Sequence, residues 1–281
     1  MITEAFAKIN LTLDITGTDE RGYHLLSSVF SEVSLCDTVT LSPTSPGTGL
    51  TMTCTEPGIP TDGRNLCIKA AQALLKGFDL PERDFRIDLV KRIPSCAGLG
   101  GGSSDAAAVL RLLCGYFKID PADGNVARIA LSVGADVPFF LKGGCCLAEG
   151  VGEKLTPLPA LPDLALAIVK TDEAASTPEI FRRYDEAPVP QALKTPDFLS
   201  ALRAGETVCP HVSNHLTAAA SGLCPSVRRL KDELLALGAL AAEMSGSGSA
   251  VYGLFPNETE AETALKNIDA SFRTVCRFVQ K

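Results

Sequence analysis

The sequence predicts an α+β chain built as two domains. Strand-like alternation and helix-like spacing follow one another along the whole chain, and in the second half they interleave as in a compact α+β sandwich. Glycine and proline accumulate at 150–163, which places the boundary there and gives domains of 1–155 and 156–281. With 281 residues, 46% of them apolar, the chain has enough material for two modest cores.

From Ala5 to Ile15 the odd positions are Ala, Ala, Ile, Leu, Leu and Ile, with Phe, Lys, Asn, Thr and Asp between them. This period of two predicts a strand with one buried face, and Lys8, Asn10 and Thr12 project together from the other. A turn follows at Gly17–Gly22. Residues 35–55 alternate again around Pro-Gly punctuation and suggest a hairpin. A helix is expected at 65–77 and a strand at 85–91. Glycine-rich sequence at 94–102 then runs into an alanine- and leucine-rich helix. Asp120 and Pro121 suit the start of the next helix, and Gly134 its end. A Gly-Gly turn precedes a strand near 145–149, and LALAIV at 164–169 reads as a buried strand. Short helices and loops fill 171–212. Val227, Leu230, Leu234 and Leu237 mark a helix stopped by Gly238. A Gly/Ser loop opening into a strand at 244–255, a helix at 257–268 and a strand at 272–279 complete the pattern.

Composition narrows the function. Net charge is −7 and the sequence pI is near 5.1, which argues against general nucleic-acid binding, since that needs a basic face. An anionic substrate must be gathered by a local site. LALAIV is far shorter than the ~20 residues of a membrane span, and the strand pattern begins where a signal or transit peptide would lie. The ten cysteines form no C-x-x-C pair and, with three histidines, no zinc spacing. Reduced thiols in a cytoplasmic protein without a structural disulfide are the expectation.

GLGGGSSD is the sharpest local signal. Four of the five residues 98–102 are glycine, and a helix follows. Glycine lets backbone N–H groups approach a ligand, and the helix start adds unpaired N–H groups and a positive dipole end. Together these suit phosphate. Ser103 and Ser104 add hydroxyls that can donate or serve as weak magnesium ligands. The loop is neither a Walker A motif nor a dinucleotide fingerprint, because no G-K-[ST] or G-x-G-x-x-G register fits. Lys8 on its strand and Asp136 in GADVP each have an ordinary explanation alone, as a solvated cation and a turn residue.

Three segments in order give those residues a context: AFAKINLTLDITGTDERGYHLL, PSCAGLGGGSSDAAAVL and MSGSGSAVYGLF. They resemble the three signature motifs of the GHMP kinase superfamily. A-K-I-N-L, R-G-Y-H, GADVPFFL, AEGVGE and S-T-P-E-I-F resemble the branch that phosphorylates the 2-hydroxyl of 4-diphosphocytidyl-2-C-methyl-D-erythritol, on the non-mevalonate route to isoprenoid precursors. The resemblance spans nearly the whole chain. It implies the two-domain GHMP kinase fold: an N-terminal ribosomal-S5-domain-2-like α/β domain, a C-terminal ferredoxin-like sandwich, and an active site in the cleft.

The resemblance further implies ATP with Mg2+, no protein metal site, a small-molecule substrate carrying a CDP group, no nucleic-acid or membrane partner, and a monomer or weak dimer. ATP is assigned to Asn65 and to the loop formed by Pro94, Ser95, Cys96, Ala97, Gly98, Leu99, Gly100, Gly101, Gly102, Ser103 and Ser104. Asp136 is implied as the base on the substrate hydroxyl, with Lys8 beside it as the second catalytic residue. Asn10, Tyr23, His24, Asp136, Thr177 and Phe181 are assigned to the substrate, with Tyr23 and Phe181 sandwiching the cytosine. Departures from the family pattern lie at Ser95-Cys96-Ala97, at Ser249, and at His215, which stands where an acidic residue is usual and is expected to be structural. A homoserine- or mevalonate-type GHMP kinase, a nucleotide-binding protein without catalysis, and an interaction module remain alternatives at this point.

Overall fold

The alternation read at 5–15 extends further in the molecule: β1 spans Ile2–Thr18 and β2 spans His24–Pro43. The protein is described by a computed structural model that covers residues 1–80, 84–187 and 191–280. Compactness divides it into two units that do not follow chain order. The first gathers Met1–Ala7, Leu35–Ser95 and Gly100–Gly143; the second gathers Lys8–Ser34, Cys96–Leu99 and Gly144–Lys281.

In the first unit, β3 (Leu50–Cys54) leads through α1 (Leu66–Gly77) to β4 (Phe85–Val90). The hairpin expected over 35–55 does not form. β4 lies between β2 and β3, antiparallel to β2 and parallel to β3. The alternation identified the strands correctly but could not give their partners. The α1 crossover supplies the length that a parallel pair needs. Val39 and Leu41 on β2, Ile87 and Leu89 on β4, and the apolar face of α1 are buried. α2 (Gly101–Phe117), α3 (Gly124–Val133) and α4 (Val137–Lys142) complete this unit. α3 begins three residues later than a cap at Asp120 suggests. Its cap is Asp123, whose Oδ1 accepts from Asn125 N at 2.7 Å, whereas Asp120 closes a separate turn through Ala122 N at 2.9 Å.

In the second unit, β2 pairs with β5 (Cys145–Gly150), which pairs with β6 (Lys154–Pro157), and β1 pairs in parallel with β8 (Ser213–Asn214). A separate four-stranded antiparallel sheet has the order β11-β7-β10-β9, from β7 (Ala165–Lys170), β9 (Ala241–Met244), β10 (Val251–Phe255) and β11 (Phe272–Arg277). The order 4-1-3-2, with α9 (Glu258–Leu265) between the last two strands, is the ferredoxin-like arrangement that the resemblance implied. α5 (Thr177–Glu186), α6 (Thr195–Ala204), α7 (Thr217–Leu223) and α8 (Ser226–Ala236) lie between β7 and β9 in the chain. Ala165, Ala167 and Val169 of β7 pack with Val227, Leu230 and Leu234 of α8 in one apolar core. Ala165–Val169 of LALAIV are buried because this strand is central, with neighbours on both sides.

Candidate active site

β1 is buried on both faces, not one. Lys8, Asn10, Thr12 and Asp14 are 4%, 1%, 0% and 0% exposed. Burying four polar side chains in a row requires a partner for each. Lys8 Nζ donates to Asn10 Oδ1 at 2.5 Å and lies 4.5 Å from the centre of the Phe30 ring. Asn10 Nδ2 donates to Ser28 Oγ at 2.9 Å, and Ser28 Oγ donates to the Thr12 carbonyl. Thr195 Oγ1 donates to Thr12 Oγ1 at 2.8 Å, and Asp14 Oδ2 accepts from the amides of Lys194 and Thr195. The network fixes the rotamers of Lys8 and Asn10 before any ligand arrives.

The glycine loop meets this strand through the backbone. The Lys8 amide donates to Leu99 O at 3.0 Å, and Ala250 N donates to Ala97 O at 3.1 Å. Ser245 Oγ donates to Gly98 O at 2.9 Å. Gly98 has φ +72, and a Cβ there would fall 2.0 Å from Ser245 O and 2.9 Å from Gly248 N. Only glycine fits. Asn214 holds the opposing Gly/Ser loop in place, its Nδ2 donating to Met244 O at 2.9 Å and Gly246 O at 2.7 Å. The dense glycine pattern predicted close backbone approach. Part of that approach is to the chain's own third motif.

In the first unit, Gly100 (φ 71) caps α2 without a side-chain bond. Positive φ therefore belongs to Gly98 and Gly100, while Gly101 is the first helical residue. Ser103 is half-buried. Ser104 is 1% exposed, and its Oγ has no hydrogen-bond partner among the described residues. Beneath the helix start, Lys91 Nζ is paired with Asp37 and, at 2.8 Å, with Asp105. A Cβ on Gly101 would lie 3.1 Å from Lys91 Nζ and 3.0 Å from Ile93 Cγ2. The sequence reading missed this triad, because its members lie at 37, 91 and 105 and only the tertiary fold joins them.

Burial, reinforced by Asp37, pushes the Asp105 carboxyl up to about 7 against the pull of Lys91. A carboxyl raised on folding stabilises the fold fully below its ordinary range, and that contribution is lost as pH rises through about 7. Asp105→Asn copies the neutral form. Its melting temperature minus that of the wild type is expected to grow by about 2–5 °C between pH 5 and pH 8, as read by calorimetry. A constant difference across that window refutes the assignment.

Asn65, expected at ATP, caps α1: its Oδ1 accepts from Cys67 N at 2.8 Å and its Nδ2 donates to Pro60 O at 2.7 Å. Cys96 is exposed with φ 51. Asp136 lies in the first unit at the N-cap of α4, and its carboxylate does not cap that helix. Lys8 lies in the second unit.

The substrate assignments gather around α5, in the second unit. The His24 ring stacks on Phe181 with centroids 4.7 Å apart and meets Tyr184 edge-on at 6.0 Å. His24 Nε2 lies 2.8 Å from Asp185 Oδ1. Phe181 thus has His24 as its stacking partner, while the Tyr23 ring is 61% exposed beside the Arg21 guanidinium. Thr177 Oγ1 bonds Ser247 Oγ at 2.8 Å and ties the start of α5 to the Gly/Ser loop. His215 accepts from Ile15 N through Nδ1 at 3.1 Å and is 4% exposed, so the residue that replaces an acidic one is structural. Ser249 Oγ donates to Glu173 O.

Among the described residues, no group of three or more His, Cys, Asp or Glu is arranged to hold a metal, and no helix is long and apolar enough to cross a membrane. All ten cysteines are free thiols.

Comparisons with known proteins agree with this architecture. Residues 65–144 match the GHMP kinases N terminal domain and residues 199–274 the GHMP kinases C terminal domain. The chain is 41% identical over 266 residues to a 4-diphosphocytidyl-2-C-methyl-D-erythritol kinase of Chlorobium phaeobacteroides, covering 94% of this chain and 92% of that one. It is 34% identical over 274 residues to the kinase of the same name from Clostridium botulinum (strain Eklund 17B / Type B), covering 97% of each. A crystal structure of 4-(cytidine 5'-diphospho)-2C-methyl-D-erythritol kinase superposes with a TM-score of 0.83 at 36% identity over the full length of both chains. Homoserine kinase from Cytophaga hutchinsonii shares the fold, with a TM-score of 0.75 at 19% identity over 99% of this chain and 96% of that one. The chain belongs to the GHMP kinases, in the 4-diphosphocytidyl-2-C-methyl-D-erythritol kinase family of small-molecule kinases.

Proposed function

We propose that this protein transfers the γ-phosphoryl group of ATP to the 2-hydroxyl of 4-diphosphocytidyl-2-C-methyl-D-erythritol. The observation that carries the reading is the position of Lys8: 4% exposed, oriented by Asn10, and joined by its own amide to the glycine loop at Leu99. A buried ammonium fixed beside a phosphate loop suits a reaction whose catalysis is mostly positioning and charge stabilisation.

In this reading the backbone of 94–104 and the start of α2 cradle the ATP phosphates. Asn65 shapes the approach to α1 through its cap. Asp136 accepts the proton of the substrate 2-hydroxyl as its oxygen attacks the γ-phosphorus, and the bond to the β-phosphate oxygen breaks to leave ADP. Lys8 offsets the charge on the attacking oxygen and the moving phosphoryl group. Asn10 reaches the diphosphate of the substrate, and Thr177 holds α5 against the Gly/Ser loop.

The donor set fits Mg2+ carried on the nucleotide, since among the described residues the unpartnered Ser104 hydroxyl offers a single ligand and no cluster of carboxylates is arranged as a cage. When bound, the ion neutralises phosphate charge. The cytosine docks on the open face of Tyr23, with His24 at its edge and Phe181 bracing His24. Domains at 1–155 and 156–281, a monomer or weak dimer, and a cytoplasmic location consistent with ten free thiols complete the reading.

Release of ADP is measured with ATP, Mg2+ and a panel of alcohols. Turnover is expected with the diphosphocytidyl substrate and not with homoserine or mevalonate; the reverse pattern sinks the proposal. Tyr23→Ala is expected to raise KM for the diphosphocytidyl substrate about 5–100-fold, the loss of one stacked base, with little change for ATP. Equal changes for both ligands exclude Tyr23 from the cytosine site.

A further inference from the structure

We infer that Asp185 sets the tautomer of His24, so that the ring accepts a hydrogen bond from the amino group of cytosine and rejects uracil. The inference rests on the cytosine reading above and adds a residue and a chemical reason for base discrimination.

α5 is capped by Ser176, whose Oγ accepts from Glu179 N, and anchored by the buried Ile180. Phe181, Tyr184 and Asp185 stand at i, i+3 and i+4, so they share one face of the helix. All three meet His24. Phe181 covers the ring at 4.7 Å with 25° between planes, Tyr184 meets it edge-on, and Asp185 Oδ1 lies 2.8 Å from Nε2. The stack fixes the plane of the ring, and the carboxylate fixes its rotation within that plane. The His24 side chain is only 13% exposed, whereas Asp185 is 57% exposed.

A carboxylate at this distance accepts, so Nε2 must carry the hydrogen. In the singly protonated ring Nδ1 is then a lone-pair acceptor. Cytosine presents an amino group at its 4-position, which donates to such an atom. Uracil presents a carbonyl oxygen at the same position, so two lone pairs would face each other and neither would be satisfied. Backbone groups could read the same edge without any histidine tautomer. The arrangement on α5 goes beyond that need by holding the ring at three points.

Asp185→Asn changes the logic without removing bulk. The amide can donate to Nε2, which allows the proton to move to Nδ1 and turns that atom into a donor. CMP and UMP serve as probes, as competitors of the diphosphocytidyl substrate and in direct binding to the whole protein. The wild type is expected to bind CMP more tightly than UMP. In Asp185→Asn the CMP-to-UMP preference is expected to fall about tenfold with ATP affinity unchanged, while Asp185→Glu keeps most of it.

With only three histidines in the chain, a long-range 1H–15N spectrum reports the tautomer directly, and the His24 proton is expected on Nε2. A proton on Nδ1 in the wild type overturns the inference. So does an Asp185→Asn protein that keeps the full preference, and in that case the cytosine reading stands. Equal binding of CMP and UMP by the wild type overturns the cytosine reading and this inference with it.

Discussion

Asp136→Asn is expected to lower turnover by about 10²–10⁴-fold while leaving ATP binding nearly unchanged, the range for loss of a positioned acid–base group. The substitution keeps the shape of the side chain and removes its negative charge and its ability to take a proton. The carboxylate does not cap α4, so the helix loses no capping bond. Lys8→Ala is expected to cost a comparable factor. It removes the only ammonium in the buried row of β1 and leaves Asn10 Oδ1 without that donor. If the two residues serve one step, the double variant falls little below the worse single one, because groups that act as a unit are not additive. Single-turnover rates with equilibrium ATP binding separate chemistry from affinity. Near-normal turnover in folded Asp136→Asn removes it as the base, and fully multiplicative losses remove the pairing.

Gly98→Ala is expected to weaken ATP binding by about 10–100-fold and to lower the melting temperature, although it adds one methyl group. Strained backbone at a non-glycine residue costs about 1–3 kcal/mol. Here the methyl must also displace the Ser245 carbonyl, 2.0 Å away, in a loop that Asn214 pins at Met244 and Gly246. Neither side can yield without moving the backbone of one glycine loop or the other. Gly102→Ala is the control for stability. Its Cβ would meet only Leu66 Cδ1 at 3.7 Å, an ordinary contact, and alanine favours the helix, so its melting temperature is expected to hold or rise. Isothermal titration with ATP and thermal melts of both variants test this. A Gly98→Ala protein with wild-type affinity shows that the loop tolerates a side chain where the geometry forbids one.

Much of this was legible before any fold was known. Period two around Lys8 and Asn10 put them on one strand face, and the glycine run before an alanine-rich helix marked the loop. Other features depended on partners distant in the chain. Alternation over 35–55 could not say that β4 separates β2 from β3, because pairing is set by the α1 crossover. Nor could it show that the polar face of β1 is buried, since Ser28 and Thr195, which satisfy it, lie far away in sequence. The shift of the α3 start from Asp120 to Asp123 is a local competition between two aspartates, each able to close a turn.

The sequence by itself determined the α+β class, the glycine-rich loop before α2 and the family, because these follow from periodicities, glycine density and motif order that act over short stretches. Tertiary structure alone decided that Lys91, Asp37 and Asp105 meet beneath α2, that Gly98 is fixed by Ser245, and that Asp185 reaches His24. Each is a contact between segments brought together only when the apolar faces of separate elements are buried, and no short-range pattern encodes such a meeting.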